Sequence, residues 1–240
     1  MKQFFWVLMA LGMTLPLSAQ TDSMPAYAMV EHVYISVKPG AQAAFEKAVK
    51  AHNANHHKGA HGAQLWNIST GKGAGTYVWS MGPCTWTDLD SRPSDDAHDT
   101  DWANNVGQHV SNVHGVEYWR RSKSYSNQGE NPPSGKLMIW LLDIDRDSWY
   151  RFDAFMEKVN VIHKKMDETI SVWYNRLPEN NGRDVAIVWP FEKFADLDVD
   201  DWNMSEEFDK EHGDGAWDDA IKEWRAFVKG QKRQIWTRVE

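Results

Sequence analysis

Two stretches of this sequence share one layout. In Gly75 to Asp90 (GTYVWSMGPCTWTDLD) and Gly182 to Asp198 (GRDVAIVWPFEKFADLD), an apolar run breaks at a proline and an aromatic residue then leads into Asp-Leu-Asp. The offset between the two Asp-Leu-Asp triplets is 108 residues. Upstream, Phe45 and Phe152, His56 and His163, and Trp66 and Trp173 all repeat at an offset of 107. Near-constant spacing held across half a chain marks an internal duplication, so the fold must be one that a single unit builds when used twice.

The N-terminus is set apart from that unit. Met1 to Gln20 carries one lysine, an apolar run from Phe4 to Leu17 and a small-residue exit at Ser18-Ala19. This is the order of a cleaved secretory signal peptide, and the run is too short to span a bilayer. It predicts a bacterial exported protein, periplasmic or secreted, with no membrane span. The net charge of −8 argues against nucleic acid or an anionic membrane surface as partner. A single cysteine, Cys84, cannot form an internal disulfide, so stability must come from the core. Of the fourteen tryptophans, thirteen follow the signal segment, enough to build an aromatic core or cavity.

Val30 to Val37 alternates as a half-buried strand does, with Val33, Ile35 and Val37 on one side and His32, Tyr34 and Ser36 on the other. After Pro39-Gly40 the pattern turns helical, with Phe45, Val49 and His52 on one stripe. Gln64 to Ile68 and Thr76 to Met81 read as a hairpin, Asp88 to Asp101 as a polar loop, Trp102 to Val113 as a second helix, and Val116 to Ser122 as a fourth strand. The cycle repeats with a strand at Leu137 to Leu142, a helix striped by Phe152, Met156, Val159 and His163 and entered through Asp145 or Asp147, and a hairpin of Ile170 to Asn175 with Val185 to Trp189. An acidic loop to Asp214, a helix on Trp217, Ile221 and Trp224, and a last strand from Gln234 complete it. The domain reading is therefore signal peptide 1–20, repeat 29–123, a Ser/Asn/Gly/Pro-rich linker 124–135 and repeat 136–240.

Each repeat follows the β-α-β-β-α-β order of a ferredoxin-like unit, an α+β fold. Such a unit has helices on one sheet face only, and an open apolar face must be covered. Two copies facing each other would cover both, leaving a barrel-like interior. In this element order and duplication the chain resembles the dimeric α/β-barrel superfamily in fused form. That superfamily includes cofactor-independent monooxygenases of the antibiotic-biosynthesis type, stress-responsive barrel proteins and, more distantly, chlorite dismutase-like proteins. The resemblance implies a small-molecule ligand held inside the barrel, in a monomeric pseudo-dimer or a homo-oligomer. Monooxygenase-type relatives use Asn, Trp, His or Tyr to hold an oxidisable aromatic compound. Chlorite dismutase-like relatives place a haem-ligating histidine near the end of the first helix of the second repeat, which is the position of His163.

On these grounds the candidate catalytic residues are His32, Tyr34, His56 and His163, and the candidate substrate-binding residues are Trp66, Asn67, Trp79, Trp173 and Tyr174. No cofactor is required by the sequence; haem on His163 is the alternative, and a non-enzymatic binding module is a further one. The pairs His52/His56 and His57/His61 have the i,i+4 spacing that can present two imidazoles to one metal, but KGAHG favours a loop around the second pair and no carboxylate stands at fixed spacing from either. Asp196, Asp198, Asp200 and Glu207 occupy positions 1, 3, 5 and 12 of a calcium loop, with Asp201 where glycine is needed, so a solvated loop is expected. Cys84 has no motif partner and reads as a buried bystander.

Overall fold

The computed structural model describes residues 27–127, 135–198 and 203–239. The signal segment, most of the linker, and Asp200 and Asp201 of the acidic loop lie outside the described residues.

The strands are β1 (Met29–Val37), β2 (Ala63–Ile68), β3 (Tyr77–Cys84), β4 (Val110–Arg121), β5 (Lys136–Ile144), β6 (Ser171–Asn175), β7 (Val185–Phe191) and β8 (Val228–Arg238). They close into one antiparallel barrel in the order β1-β3-β2-β8-β5-β7-β6-β4. Each repeat contributes the ferredoxin-like order, β4-β1-β3-β2 and β8-β5-β7-β6, and the repeats join where β2 of one meets β8 of the other and β6 meets β4. The two seams are equivalent. Trp66 to Ile68 pairs with Trp236 to Arg238, and Trp119 to Arg121 pairs with Trp173 to Asn175. Closure leaves neither sheet a free edge, which removes the template for pairing with a foreign strand.

Strand alternation sorts the side chains. Val30, His32 and Tyr34 point into the barrel with Trp66, Ile68, Trp119, Ile139, Leu141 and Trp236. Val33, Ile35 and Val37 point outward, as expected, to pack with Phe45 and Val49 of helix α1 (Gln42–His56). Phe152 and Met156 do the same for the second repeat from α4 (Trp149–Lys165), against Val172, Val185 and Ile187. Phe45 and Phe152, the duplicated pair, are both fully buried.

The duplicated Asp-Leu-Asp motif makes one helical turn after each hairpin. In α2 (Trp86–Leu89), the Asp88 carboxylate accepts from Thr85 N–H and Oγ1 at 2.7 Å each, a reciprocal N-terminal cap. In the 3₁₀ turn Phe194–Leu197, Asp196 accepts from the backbone N–H of Glu192 and Lys193 at 3.0 and 2.9 Å. With that carboxylate satisfied by backbone and Glu207 paired to Lys210, the described part of the acidic run is capping and helix surface.

Three expectations fail, the first being the polar loop over Asp88 to Asp101, which holds the end of α2 and the capped helix Asp96–Asp101. The helix expected over Trp102 to Val113 is replaced by α3 (Asp96–Asp101), a π turn (Trp102–Val106) and a 3₁₀ turn (Gly107–His109), and β4 already begins at Val110. Asn104, Asn105 and Gly107 weaken helix propagation, and a ladder with β1 running out to Val37↔Val110 claims the β-branched residues that follow. The loop expected before Asp214 contains a helix, α5 (Met204–His212), which buries Met204 and Phe208 at i,i+4 against α4 and α6 (Ala216–Phe227).

Candidate functional site

The barrel interior is not solid. A cavity of about 440 Å³ lies between the walls, bordered by Trp66, Trp119, Trp173 and Trp236 with Ile139 and Val188. Charge gathers beside Tyr34 in its wall. Arg183 packs over the Tyr34 ring at 4.5 Å, donates from Nη2 to the Tyr34 hydroxyl, and reaches Glu117 through Nη2 at 2.9 Å. Glu117 also accepts from Trp119 Nε1 at 3.0 Å. Burial pushes the Tyr34 hydroxyl well above its usual range. Burial works against the charge on Arg183, and Tyr34 and Glu117 more than offset it, so Arg183 stays a cation.

His32 and Arg121 supply the polar chemistry of the void itself. The His32 ring contacts Tyr34 at 6.3 Å and Trp236 at 5.4 Å between centroids, and its Nδ1 is buried without a partner. The ring is half-buried and borders the cavity. Burial first, then the Arg183 cation, lower its pKa to about 3, so His32 is neutral at physiological pH. Arg121 borders the cavity near Thr169 and Ser171. Its Nε is buried and unpaired, burial lowers its pKa, and among the described residues no carboxylate pairs with it.

The residues expected to meet in one pocket divide between two sides of the wall. His32, Tyr34, Trp66 and Trp173 line the cavity. Asn67, Trp79 and Tyr174 do not, because each sits one residue out of phase with an inward neighbour and period-two geometry turns it outward. Trp79 donates to Asn53 Oδ1 at 2.9 Å beneath α1, Tyr174 donates to Asp153 Oδ1 at 3.1 Å beneath α4, and Asn67 is half-buried on the outer face of β2. Reading the sequence missed Glu117 and Arg121 as site residues. Their signal was the alternation Glu117-Trp119-Arg121 on β4, whose inward phase only the pairing Glu117↔His32 reveals.

His56 and His163 lie at helix ends outside the barrel. His163 is 3 % exposed, its Nδ1 is held by the Glu168 carboxylate, and it does not border the cavity. The layer between α4 and the sheet is packed with Phe152, Met156, Ile170, Val172 and Phe227. A haem held by His163 would need that packing to open. Cys84 is buried and free, and burial pushes its thiol up to about 11.

In the first repeat the equivalent helix end gathers histidines. His52 Nδ1 lies 2.7 Å from Asp101 Oδ2 and His56 Nε2 3.3 Å from the same oxygen. His57 Nδ1 meets the His61 carbonyl at 3.2 Å, His98 Nδ1 meets Asp99 Oδ1 at 2.8 Å, and His57 Nε2 faces His52 Nε2 at 3.2 Å. Burial lowers the pKa of both His52 and His57, the latter to about 4. The carboxylate that no sequence spacing offered arrives from Asp101, 49 residues along the chain from His52.

No family model matches this sequence, and no curated protein matches it either. Solved structures do match in shape. A provisionally named monooxygenase from Fusobacterium nucleatum superposes with a TM-score of 0.57 at 10% identity, over 90% of this chain and 94% of that one. A second provisionally named monooxygenase, from Lactobacillus acidophilus, gives 0.55 at 8% identity over 89% and 95%. An anthrone oxidase-like protein gives 0.52 at 11% identity over 89% and 92%. With topology, closure and these superpositions agreeing, the chain has the fold of the dimeric α/β-barrel superfamily, built from two tandem ferredoxin-like repeats.

Proposed function

We propose that the barrel cavity binds a small aromatic or apolar compound carrying an anionic oxygen, with its ring among the tryptophans and its charge on Arg121. The observation that carries this reading is an aromatic void bordered by a guanidinium that no carboxylate neutralises among the described residues. A half-buried cation with no carboxylate partner among the described residues is costly to desolvate, and a ligand anion would satisfy it. A charge-assisted hydrogen bond contributes about 1.5–3 kcal/mol, or roughly ten- to a hundredfold in affinity. The test is calorimetric titration with a series of aromatic carboxylates and their methyl esters. At least one acid should bind at least tenfold more tightly than its ester, and Arg121→Gln should erase the difference. Equal binding of acid and ester, or no binding of either, ends the reading.

A second reading adds chemistry. Structures of this fold carry the names monooxygenase and anthrone oxidase-like protein, and His32 is a neutral imidazole with an unpartnered nitrogen beside the void, placed to hydrogen-bond and orient a phenolic oxygen there. Oxygen uptake with a phenolic ligand, lost in His32→Phe while binding persists, supports an oxidase; binding without uptake leaves a binding protein. The N-terminal segment Met1 to Gln20 supports export. N-terminal sequencing of the protein from a native periplasmic or culture fraction should start near Thr21.

A further inference from the structure

The histidines outside the wall have no part in that reading, and the directions of their hydrogen bonds carry a separate inference. The partner of each Nδ1 is an acceptor: the Asp101 carboxylate for His52, the His61 carbonyl for His57, the Asp99 carboxylate for His98. A ring nitrogen that faces an acceptor carries the hydrogen, so each neutral ring keeps its lone pair on Nε2. His52 Nε2 and His57 Nε2 then face each other at 3.2 Å with no hydrogen left to join them. Two buried acceptors at that distance repel unless a cation lies between them.

The local backbone creates this approach. His52 is buried on the sheet side of α1, and His57, just past the last turn, adopts an extended conformation (φ −113°, ψ 99°) that brings its ring back over His52. His98, on α3, brings a third ring to 4.8 Å from His52 and 5.3 Å from His57 between centroids. One donor nitrogen from each of the three falls within 4.8 Å of the others. Zinc–imidazole bonds of about 2.0–2.1 Å at the tetrahedral angle separate two ligand nitrogens by about 3.3 Å, close to the His52–His57 spacing.

We propose that His52, His57 and His98 form a site for one divalent transition-metal ion, zinc being the best fit. An all-imidazole set selects zinc, copper or nickel over magnesium or calcium. Asp101, Asp99 and the His61 carbonyl orient the rings through Nδ1, the arrangement that fixes the ligating tautomer. The ion would also fasten α3, which buries none of its own residues, to α1.

The test uses tag-free full-length chain, stripped with a chelator and titrated with zinc sulfate against a chromophoric competitor, then with cobalt(II) for its visible spectrum. One equivalent should bind, raising the melting temperature. His98→Ala, a change on a short surface helix, should weaken zinc at least tenfold and abolish the thermal shift, with the circular dichroism unchanged. Asp101→Asn should cost roughly ten- to a hundredfold while keeping the cobalt spectrum. His212→Ala, on α5, should change nothing. Failure of the folded chain to bind zinc or cobalt, or binding that survives combined substitution of His52, His57 and His98 in a chain that still folds, overturns the proposal. Ligand binding in the barrel is a separate measurement, so either result stands without the other.

Discussion

His32 shows what burial does to a single residue. Its folded pKa of about 3 lies below the ordinary 6.5, so the unfolded chain takes up a proton below pH 6.5 that the folded chain refuses. Stability from keeping this ring neutral is therefore fully present above pH 6.5 and lost as pH falls from 6.5 toward 3, at about 1.4 kcal/mol per pH unit. Urea unfolding of wild type and His32→Phe across pH 7 to 4 should give lines that converge toward acid, because the variant lacks that one proton. Parallel lines would show that the ring is open to bulk water. His32 was legible as an inward residue from the alternation of β1. That Arg183 and Tyr34, 149 positions apart, meet beside it was not.

At the scale of elements, the duplicated anchors decide how the helices sit. Phe152 has no exposure and contacts Tyr174 and Phe227 edge-on at 6.1 and 6.0 Å, joining α4 to the sheet and to α6. Phe152→Ala should cost about 3–5 kcal/mol in urea unfolding, the range for deleting a buried aromatic; a loss under 1 kcal/mol would mean the layer collapses to fill the gap. Phe45 was read the same way and is equally buried. Elements with a clean apolar stripe, α1, α4 and α6, were readable for that reason. The stretch from Trp102 to Val113 was not, because its apolar spacing suits a helix and its true structure is set by pairing with β1. Helix α5 escaped notice among acidic residues, although Met204 and Phe208 carried its spacing.

For the whole molecule, closure is the decisive event. Each repeat alone would expose half of the interior, including Trp66 and Trp119 in the first and Trp173 and Trp236 in the second, together with two unpaired edges. Residues 27–127 and 135–239, produced separately, should run as dimers or larger species on size exclusion, and co-expression should recover a one-to-one complex. A half that stays monomeric and unfolds cooperatively would show that the barrel is two independent sheets in contact. Local periodicity and matches at constant offset already specify the repeated unit, its element order and the inward side of β1. Folding in three dimensions adds that Asn67, Trp79 and Tyr174 face out, that Arg121 meets the void with no carboxylate partner among the described residues, and that Asp101 and His98 reach the histidines at the end of α1. Those facts depend on strand register and on which distant segments closure brings together, and no local pattern encodes either.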